Sequence, residues 1–357
     1  MNHTIFLEKH KEHNAKLVDF AGWEMPINYP DGIIKESNFV RDDAGMFDVS
    51  HMGRVEISGK NSRDLIQKML PINIDSLEAS IAKYTLLIND KEEILDDLIV
   101  YQISDEKFLL VINASNTDED LKWIKSINND SIIENITEKT GMLAIQGPNA
   151  IKKINSITNN SLVDLGRYRH KEINLGGASV FVARTGYTGE DGVEIIFQNS
   201  HANAIWENLH KLSINPCGLG ARDLLRIEAG LHLYGHEITK ESNPYNIGLG
   251  RLLETSSKNY INYEYINGDK IKEGKEALVG LKIKDRGIAR EGNEIYINDK
   301  IIGKITSGTH SPRIKSAIAI GKLNKKFNNS KNTVKIKVRE KYLEAEIIKL
   351  PFYRRKK

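Results

Sequence analysis

Residues 83–113 read KYTLLINDKEEILDDLIVYQISDEKFLLVIN. Apolar runs rich in Leu, Ile and Val, bounded by polar turns, predict strands at KYTLLI, ILDDLIVYQI and KFLLVIN. The middle run carries Asp96 and Asp97 between Ile94-Leu95 and Leu98-Ile99-Val100. A carboxylate in so apolar a stretch is costly unless partners meet it. The aspartates therefore mark either a strand end that caps neighbouring backbone or a polar site. Strand alternation puts Asp97 on one face with Leu95, Ile99 and Tyr101, and Asp96 on the other. They are thus not a carboxylate dyad of the glycosidase or aspartic-protease kind, and at most one of them faces a given pocket.

Outward from this stretch the periodicity alternates between strand and helix. RVEISG reads as a strand, and Asn61 or Ser62 can cap the helix SRDLIQKML. On the other side, Asn116-Thr117 opens a helix in which Asp118, Glu119 and Asp120 suit the positive dipole end, with Leu121, Ile124 and Ile127 on one face. Toward the N-terminus, VDFAGWEMPINYP reads as a packed strand and turn, and IIKESNFVRDDAGMFDVS as a helix followed by a short extended segment. Pro148 suits the first turn of a helix NAIKKINSI. Residues 178–197 give extended runs around the turn TGYTGEDG, and SHANAIWENLHKL and GARDLLRIEAG read as helices. After a polar connection over 239–275 the pattern shifts to short alternating strands: EALVGLKI, EIYIND, KIIGKITSG, SAIAIGKL, TVKIKV and YLEAEIIKL. Their regular spacing predicts a small β-barrel or sandwich.

Composition narrows the function classes. The chain has 357 residues, 40% hydrophobic and 28% charged, as expected of a soluble globular protein with more than one domain. A formal charge of +3, with no long basic block except Arg354 to Lys357, argues against general nucleic-acid binding but allows a pocket for a small anion. The lone Cys217 excludes internal disulfides and cysteine-based metal clusters, and fits a reducing compartment. The polar N-terminus has no signal-peptide core and no run reaches bilayer-spanning length, so a cytoplasmic protein is expected.

Familiar catalytic signatures are mostly missing. There is no phosphate-binding P-loop, CGLGARD lacks the third glycine of a dinucleotide fingerprint, and no GxSxG nucleophile elbow occurs. His232 and His236 stand four residues apart without the glutamate motif or cysteine set of a zinc site. More informative is RTGYTGEDGVEI, whose glycines allow irregular backbone beside a ligand. There Tyr187 can stack on a flat ring and Glu194 follows in a strand. Arg222 at a helix start does nothing for the dipole. It hints at a ligand contact, with a salt bridge to Asp223 or Glu228 as the plainer account.

These segments together resemble one family. LVDFAGWEMPINY, VRDDAGMFDVSHMG, KYTLLIN, ILDDLIVY, VINASN, AIQGP, RTGYTGEDGVEI, CGLGARDLLRIEAGLHLYGHEI, GIAREG and GKITSGTHSP occur in the order and spacing of the glycine cleavage T-proteins, tetrahydrofolate-dependent aminomethyltransferases, from near residue 5 to the terminal PFYRR. The resemblance implies an α+β, three-domain cloverleaf around a central folate channel, with a C-terminal β-barrel domain. The implied domains are 1–49 plus 140–240, discontinuous and folate-binding; 50–139, carrying the catalytic aspartate; a linker over 241–275; and the barrel over 276–357. By the same resemblance Asp97 is the catalytic carboxylate. Tyr84, Asn113, Tyr187, Glu194, Arg222 and Tyr353 contact folate, and Met52 and Arg290 line the channel. The implied reaction, part of glycine catabolism and one-carbon metabolism, takes an aminomethyl group from the lipoyl arm of a partner H-protein. It yields 5,10-methylenetetrahydrofolate, ammonia and the dihydrolipoyl arm, with tetrahydrofolate as acceptor substrate and no metal.

Relatives of this fold also include folate-dependent demethylases of a sulfonium or an amine, and non-enzymatic folate-binding factors of iron–sulfur protein maturation. The contiguous DDLIV and DVSHMG speak against the first. Asp97, and a Cys217 set in an unrelated PCGLGARD, speak against the second. Two departures from the family pattern stand out. The turn before the aspartate strand, usually Asn-x-x-Gly-Gly, is Asn89-Asp90-Lys91-Glu92-Glu93, and Asn246 stands where an acidic residue is usual. An altered loop is expected at the first, altered linker contacts at the second.

Overall fold

The computed structural model describes residues 1–128, 130–254, 259–329 and 333–355. Residues 255–258 of the expected linker, and Lys356 and Lys357 of the basic tail, lie outside the described residues.

The aspartate strand, Ile94–Ser104, is the second strand of a five-stranded sheet. Its order is Ala82–Ile88, Ile94–Ser104, Lys107–Ile112, Gly53–Ser58 and Ile132–Asn135. A six-stranded sheet runs His170–Leu175, Ala178–Ala183, Gly192–Gln198, Thr140–Gln146, Gly45–Asp48 and Asn215–Pro216. Gly45–Asp48 thus pairs with Thr140–Gln146 across the whole intervening five-stranded sheet in sequence, which breaks this layer into two chain segments. The strands expected after residue 275 close into a six-stranded barrel.

The two sheets face each other. Tyr101, Leu109 and Val111 meet Val49, Met142, Ala144, Ala183 and Ile196 in one buried cluster. The outer face of the five-stranded sheet carries the helices Ser62–Met69 and Thr117–Ser126, which bury Leu65, Ile66, Leu121 and Ile124 against Leu98 and Val100. Burying each such side chain stabilises by about 1.5–3 kcal/mol relative to exposure. Ala202–Lys211 covers the six-stranded sheet with Ile205, Trp206 and Leu209. The barrel joins through Ile318 and Ile320 against Ile227 of the helix Leu219–Glu228.

One detail of the aspartate strand departs from simple alternation. Ile88 pairs with Ile94 and Leu87 with Asp96, so Leu95 is an extra residue, a β-bulge. The bulge turns Leu95 into the helix-side core with Leu98 and Val100, not onto the face of Asp97, as strict alternation expected. Asp97 keeps Tyr84 and Ile99 as face neighbours through the pairs Leu86–Asp97 and Tyr84–Ile99.

The turn before the bulge holds its shape without the family's glycines. Asn89 Oδ1 accepts from the backbone N–H of Lys91 and of Glu93, both at 3.0 Å, and Glu92 takes a φ of +69°. A left-handed glutamate is strained. Glu92→Gly is therefore expected to stabilise the protein by about 0.5–1 kcal/mol, read as a rise in the urea midpoint. Asn246 anchors the start of the barrel: its carbonyl accepts from Leu278 N–H at 3.1 Å and its side chain from Glu276 N–H at 3.3 Å.

Where the chain passes from one sheet to the other, buried Arg54 holds the crossing. Its guanidinium donates to the carbonyls of Ser50 at 2.8 Å, Thr137 at 2.5 Å and Thr140 at 2.7 Å, and also to that of Met52. Arg54→Met leaves these carbonyls without donors and is expected to cost about 3 kcal/mol, measured by chemical denaturation.

Candidate active site

A cavity of about 950 Å³ opens where the two sheets and the barrel meet. That is the size of a site for a drug-sized ligand. Asp97, Tyr84, Asn113, Met52, Tyr187, Glu194, Arg222 and Arg290 all line it. Each arrives from a different element. Tyr84 and Asp97 come from neighbouring strands, and Asn113 directly follows the third. Glu194 lies on Gly192–Gln198, Arg222 near the start of Leu219–Glu228, and Arg290 on the barrel loop before Glu294–Ile297.

Asp97 is held from two sides. Tyr84 Oη donates to Oδ2 at 2.8 Å and Asn113 Nδ2 to Oδ1 at 3.0 Å. Burial, then the charge of neighbouring Asp96, pushes its pKa up to about 7. A carboxyl poised there can both accept and return a proton at neutral pH. Asp96, on the opposite face, accepts from the backbone N–H of Asn113 at 2.8 Å and from the side chains of Asn113 at 2.7 Å and Asn116 at 2.8 Å. Each local reading of the aspartates thus applies to one of them: Asp96 caps backbone and Asp97 faces the cavity. Asn113 lines the cavity too, but its amide nitrogen is committed to both aspartates.

The same cavity wall carries a cation without an ion-pair partner among the described residues, although the charge of Glu194 favours it. The Arg222 guanidinium has no ion pair among the described residues, and its buried Nη1 has no hydrogen-bond partner there. The carboxylates that a plain salt bridge would use are engaged elsewhere. Asp223 takes Arg226 at 2.8 Å and Glu228 takes Arg41 at 2.8 Å. Arg222 lies over the Tyr187 ring, 4.7 Å from its centroid. Burial holds its pKa below the usual arginine value. An unpaired buried guanidinium in a cavity wall is a vacancy for a ligand acceptor. Glu194 supplies the opposite polarity, its Oε2 accepting from Thr185 Oγ1 at 2.5 Å.

The glycine-rich turn that carries Tyr187 is closed at its base by Arg184–Asp191 at 2.7 Å. Gly192 allows the close pairing that delivers Glu194, since a Cβ there would lie 2.2 Å from the Ile145 carbonyl oxygen. Tyr187 Oη donates to the His232 carbonyl, so the ring is fixed rather than swinging.

Tyr353 does not join these residues. The C-terminal segment returns to the helix Leu219–Glu228, with Tyr353 N–H donating to the Glu228 carbonyl at 2.8 Å. Its ring lies over Arg41, 4.0 Å from the guanidinium carbon, and Arg41 is tied to Glu190 and Glu228. Arg355 of the basic tail likewise pairs with Asp191 at 3.4 Å. His232 and His236 sit beyond the helix end and bond carbonyls of Ile247 and Thr306.

Sequence reading missed Arg226, which lines the cavity, and Glu237, which pairs with it at 2.7 Å. Arg226 also reaches Ser307 at 2.6 Å, and Glu237 accepts from Thr306 and Ser307, so the barrel is tied to the helix that bears Arg222. Nothing local in the sequence signals that pairing.

A shielded carboxyl poised between its two protonation states, sharing one cavity with a cation that has no ion pair among the described residues and with a second carboxylate, is an enzyme site for a polar ligand of mixed charge. The comparisons with known proteins give the family. Residues 6–257 match the GCVT N-terminal domain, and residues 277–354 the glycine cleavage T-protein C-terminal barrel domain. The chain is 36% identical over 362 aligned residues to an aminomethyltransferase of Alkaliphilus oremlandii, covering 99% of this chain and 98% of that one. It is 35% identical over 358 to an aminomethyltransferase of Halalkalibacterium halodurans, with the same coverage. The crystal structure of the glycine cleavage system aminomethyltransferase T from Bartonella henselae superposes with a TM-score of 0.92 at 29% identity, covering 99% of this chain and 98% of that one. The chain belongs to the glycine cleavage T-protein family and is an enzyme of the aminomethyltransferase class. No helix among the described residues is long and apolar enough to cross a membrane.

Proposed function

We propose that this enzyme transfers the methylene carbon of an aminomethyl group, carried on the lipoyl arm of an H-protein, to tetrahydrofolate. The products are 5,10-methylenetetrahydrofolate, ammonia and the dihydrolipoyl arm. The observation that carries this reading is the poised Asp97 carboxyl lining one cavity with Arg222, which has no ion pair among the described residues, within a chain that matches the family over residues 6–257 and 277–354.

Tetrahydrofolate supplies the acceptor amine. Its flat pterin has a donor-rich edge suited to Glu194, and its carbonyl and carboxylate oxygens suit Arg222, whose Nη1 lacks a partner among the described residues. Tyr187 offers a ring face already fixed by its hydroxyl. Asp97 orients the acceptor amine and takes the proton it releases as the new bond forms. The ionised carboxylate also favours positive charge developing on the transferred carbon. Tyr84 and Asn113 keep the accepting oxygens in place. In this reading residues 1–49 with 140–240, 50–139 and 276–357 are the three domains, joined by 241–275.

The donor class is tested by offering the protein tetrahydrofolate with aminomethyl-loaded H-protein, with a sulfonium donor, or with a methylamine donor. Methylenetetrahydrofolate from the first alone is expected. Methyltetrahydrofolate from a sulfonium or methylamine donor would overturn the reading in favour of a demethylase.

A further inference from the structure

Asp120 is a buried acid that the reaction does not use. It lies in the first turn of the helix Thr117–Ser126, where sequence assigns Asp118, Glu119 and Asp120 alike to the helix dipole. Asp118 and Glu119 are exposed, but Asp120 is fully buried. Neither of its carboxyl oxygens meets a hydrogen-bond donor among the described residues. What Asp120 meets is another carboxyl, that of Asp96, also fully buried.

Two carboxyls in contact away from water cannot both ionise, so the pair retains one proton. The donors decide where it rests. Asp96 receives three N–H bonds from Asn113 and Asn116, which support its charge, whereas Asp120 receives none. The proton therefore stays on Asp120, whose pKa burial and the Asp96 charge push up to about 10. The other groups facing the pair leave that order intact. Asp97 and Glu119 add negative charge, Glu119 being paired with Lys240 at 2.6 Å, and Tyr234 donates its hydroxyl to the Ile94 carbonyl at 2.9 Å.

We propose that Asp120 is a positioning residue: as a neutral acid it donates to Asp96, which fixes Asn113, and Asn113 in turn fixes Asp97. Asp120 does not line the cavity and acts only through this chain of bonds.

The test combines infrared spectroscopy with kinetics on the full-length enzyme. At pH 8.5, above the range of Asp97 (about 7), the wild-type spectrum minus that of Asp120→Asn should contain the carbonyl band of one protonated, buried carboxylic acid. No such band would overturn the proposal. Asp120→Ala removes the donor and is expected to lower kcat by about 10- to 100-fold with the folate KM little changed. Asp120→Asn, whose amide can still donate to Asp96, should recover most of that loss. Wild-type kcat in the alanine variant, or equal losses in both variants, would count against it. If the alanine variant fails to fold, the infrared difference and the kcat of the asparagine variant still decide. The kinetic arm rests on the aminomethyl-transfer reading and the infrared arm does not, so failure of one is distinguishable from failure of the other.

Discussion

Asp97→Asn is expected to lower kcat by about 10²–10⁴-fold while leaving tetrahydrofolate affinity nearly unchanged. The amide keeps the size of the carboxyl, and its oxygen can still accept from Tyr84 or Asn113, but it cannot take up a proton. In the wild-type enzyme the pH profile of kcat should rise with pH through an inflection near 7, because only ionised Asp97 accepts that proton. Stability moves the other way. The folded-state pKa of Asp97, about 7, lies above its ordinary value of 3.8, so between those pH values the native state binds the proton that the unfolded chain has released. The contribution of this group is therefore fully present below about pH 4 and is lost as pH rises through 7. Asp97→Asn removes that loss, so the variant should melt no lower than wild type at pH 8 although it is nearly inactive. An inactive variant that also melts far below wild type would point to a structural role instead. Asp96→Asn is expected to spare more activity, since Asp96 does not face the cavity, and an equal loss from both would sink the assignment of a single catalytic carboxylate.

Arg222→Met should separate binding from stability just as sharply. Losing a desolvated, charge-assisted contact to the ligand is worth about 2–4 kcal/mol, or roughly 30- to 1,000-fold in Kd. No ion pair is broken by the change, because Asp223 and Glu228 are engaged by Arg226 and Arg41, and Glu194, which loses a favourable neighbouring charge, keeps its hydrogen bond from Thr185. What disappears from the ligand-free protein is the desolvation cost of a buried charge, offset by about 0.5–2 kcal/mol of contact with the Tyr187 ring. The ligand-free variant should therefore melt at or above the wild-type temperature while titrating folate far more weakly. Unchanged folate affinity would remove Arg222 from the binding site.

Much of this architecture was legible because it is written in local periodicity. The strands around Asp96 and Asp97, the helices 62–69 and 117–126 and the barrel strands after residue 275 all follow from alternation, capping signals and turn residues. Three kinds of feature were not. The bulge at Leu95 depends on pairing with Leu87 and Ile88, and an apolar residue beside an aspartate gives no local sign of it. The insertion of one sheet within the chain segments of the other rests on Gly45–Asp48 pairing with Thr140–Gln146, a non-local contact that came only through family resemblance. Whether Arg222 is free, and where Tyr353 points, depends on which carboxylates and cations other segments bring: Arg226 takes Asp223, and Arg41 takes both Glu228 and the Tyr353 ring. Polar partners in a buried network are chosen by the fold, so a sequence shows the candidates and not the pairing.

The most direct measurement is the release of ammonia and methylenetetrahydrofolate from aminomethyl-loaded H-protein, with and without tetrahydrofolate. Both products in equal amounts, formed rapidly only when tetrahydrofolate is present, are expected. No turnover despite folate binding, or ammonia release at the same rate without folate, would contradict a folate-dependent aminomethyl transfer at Asp97.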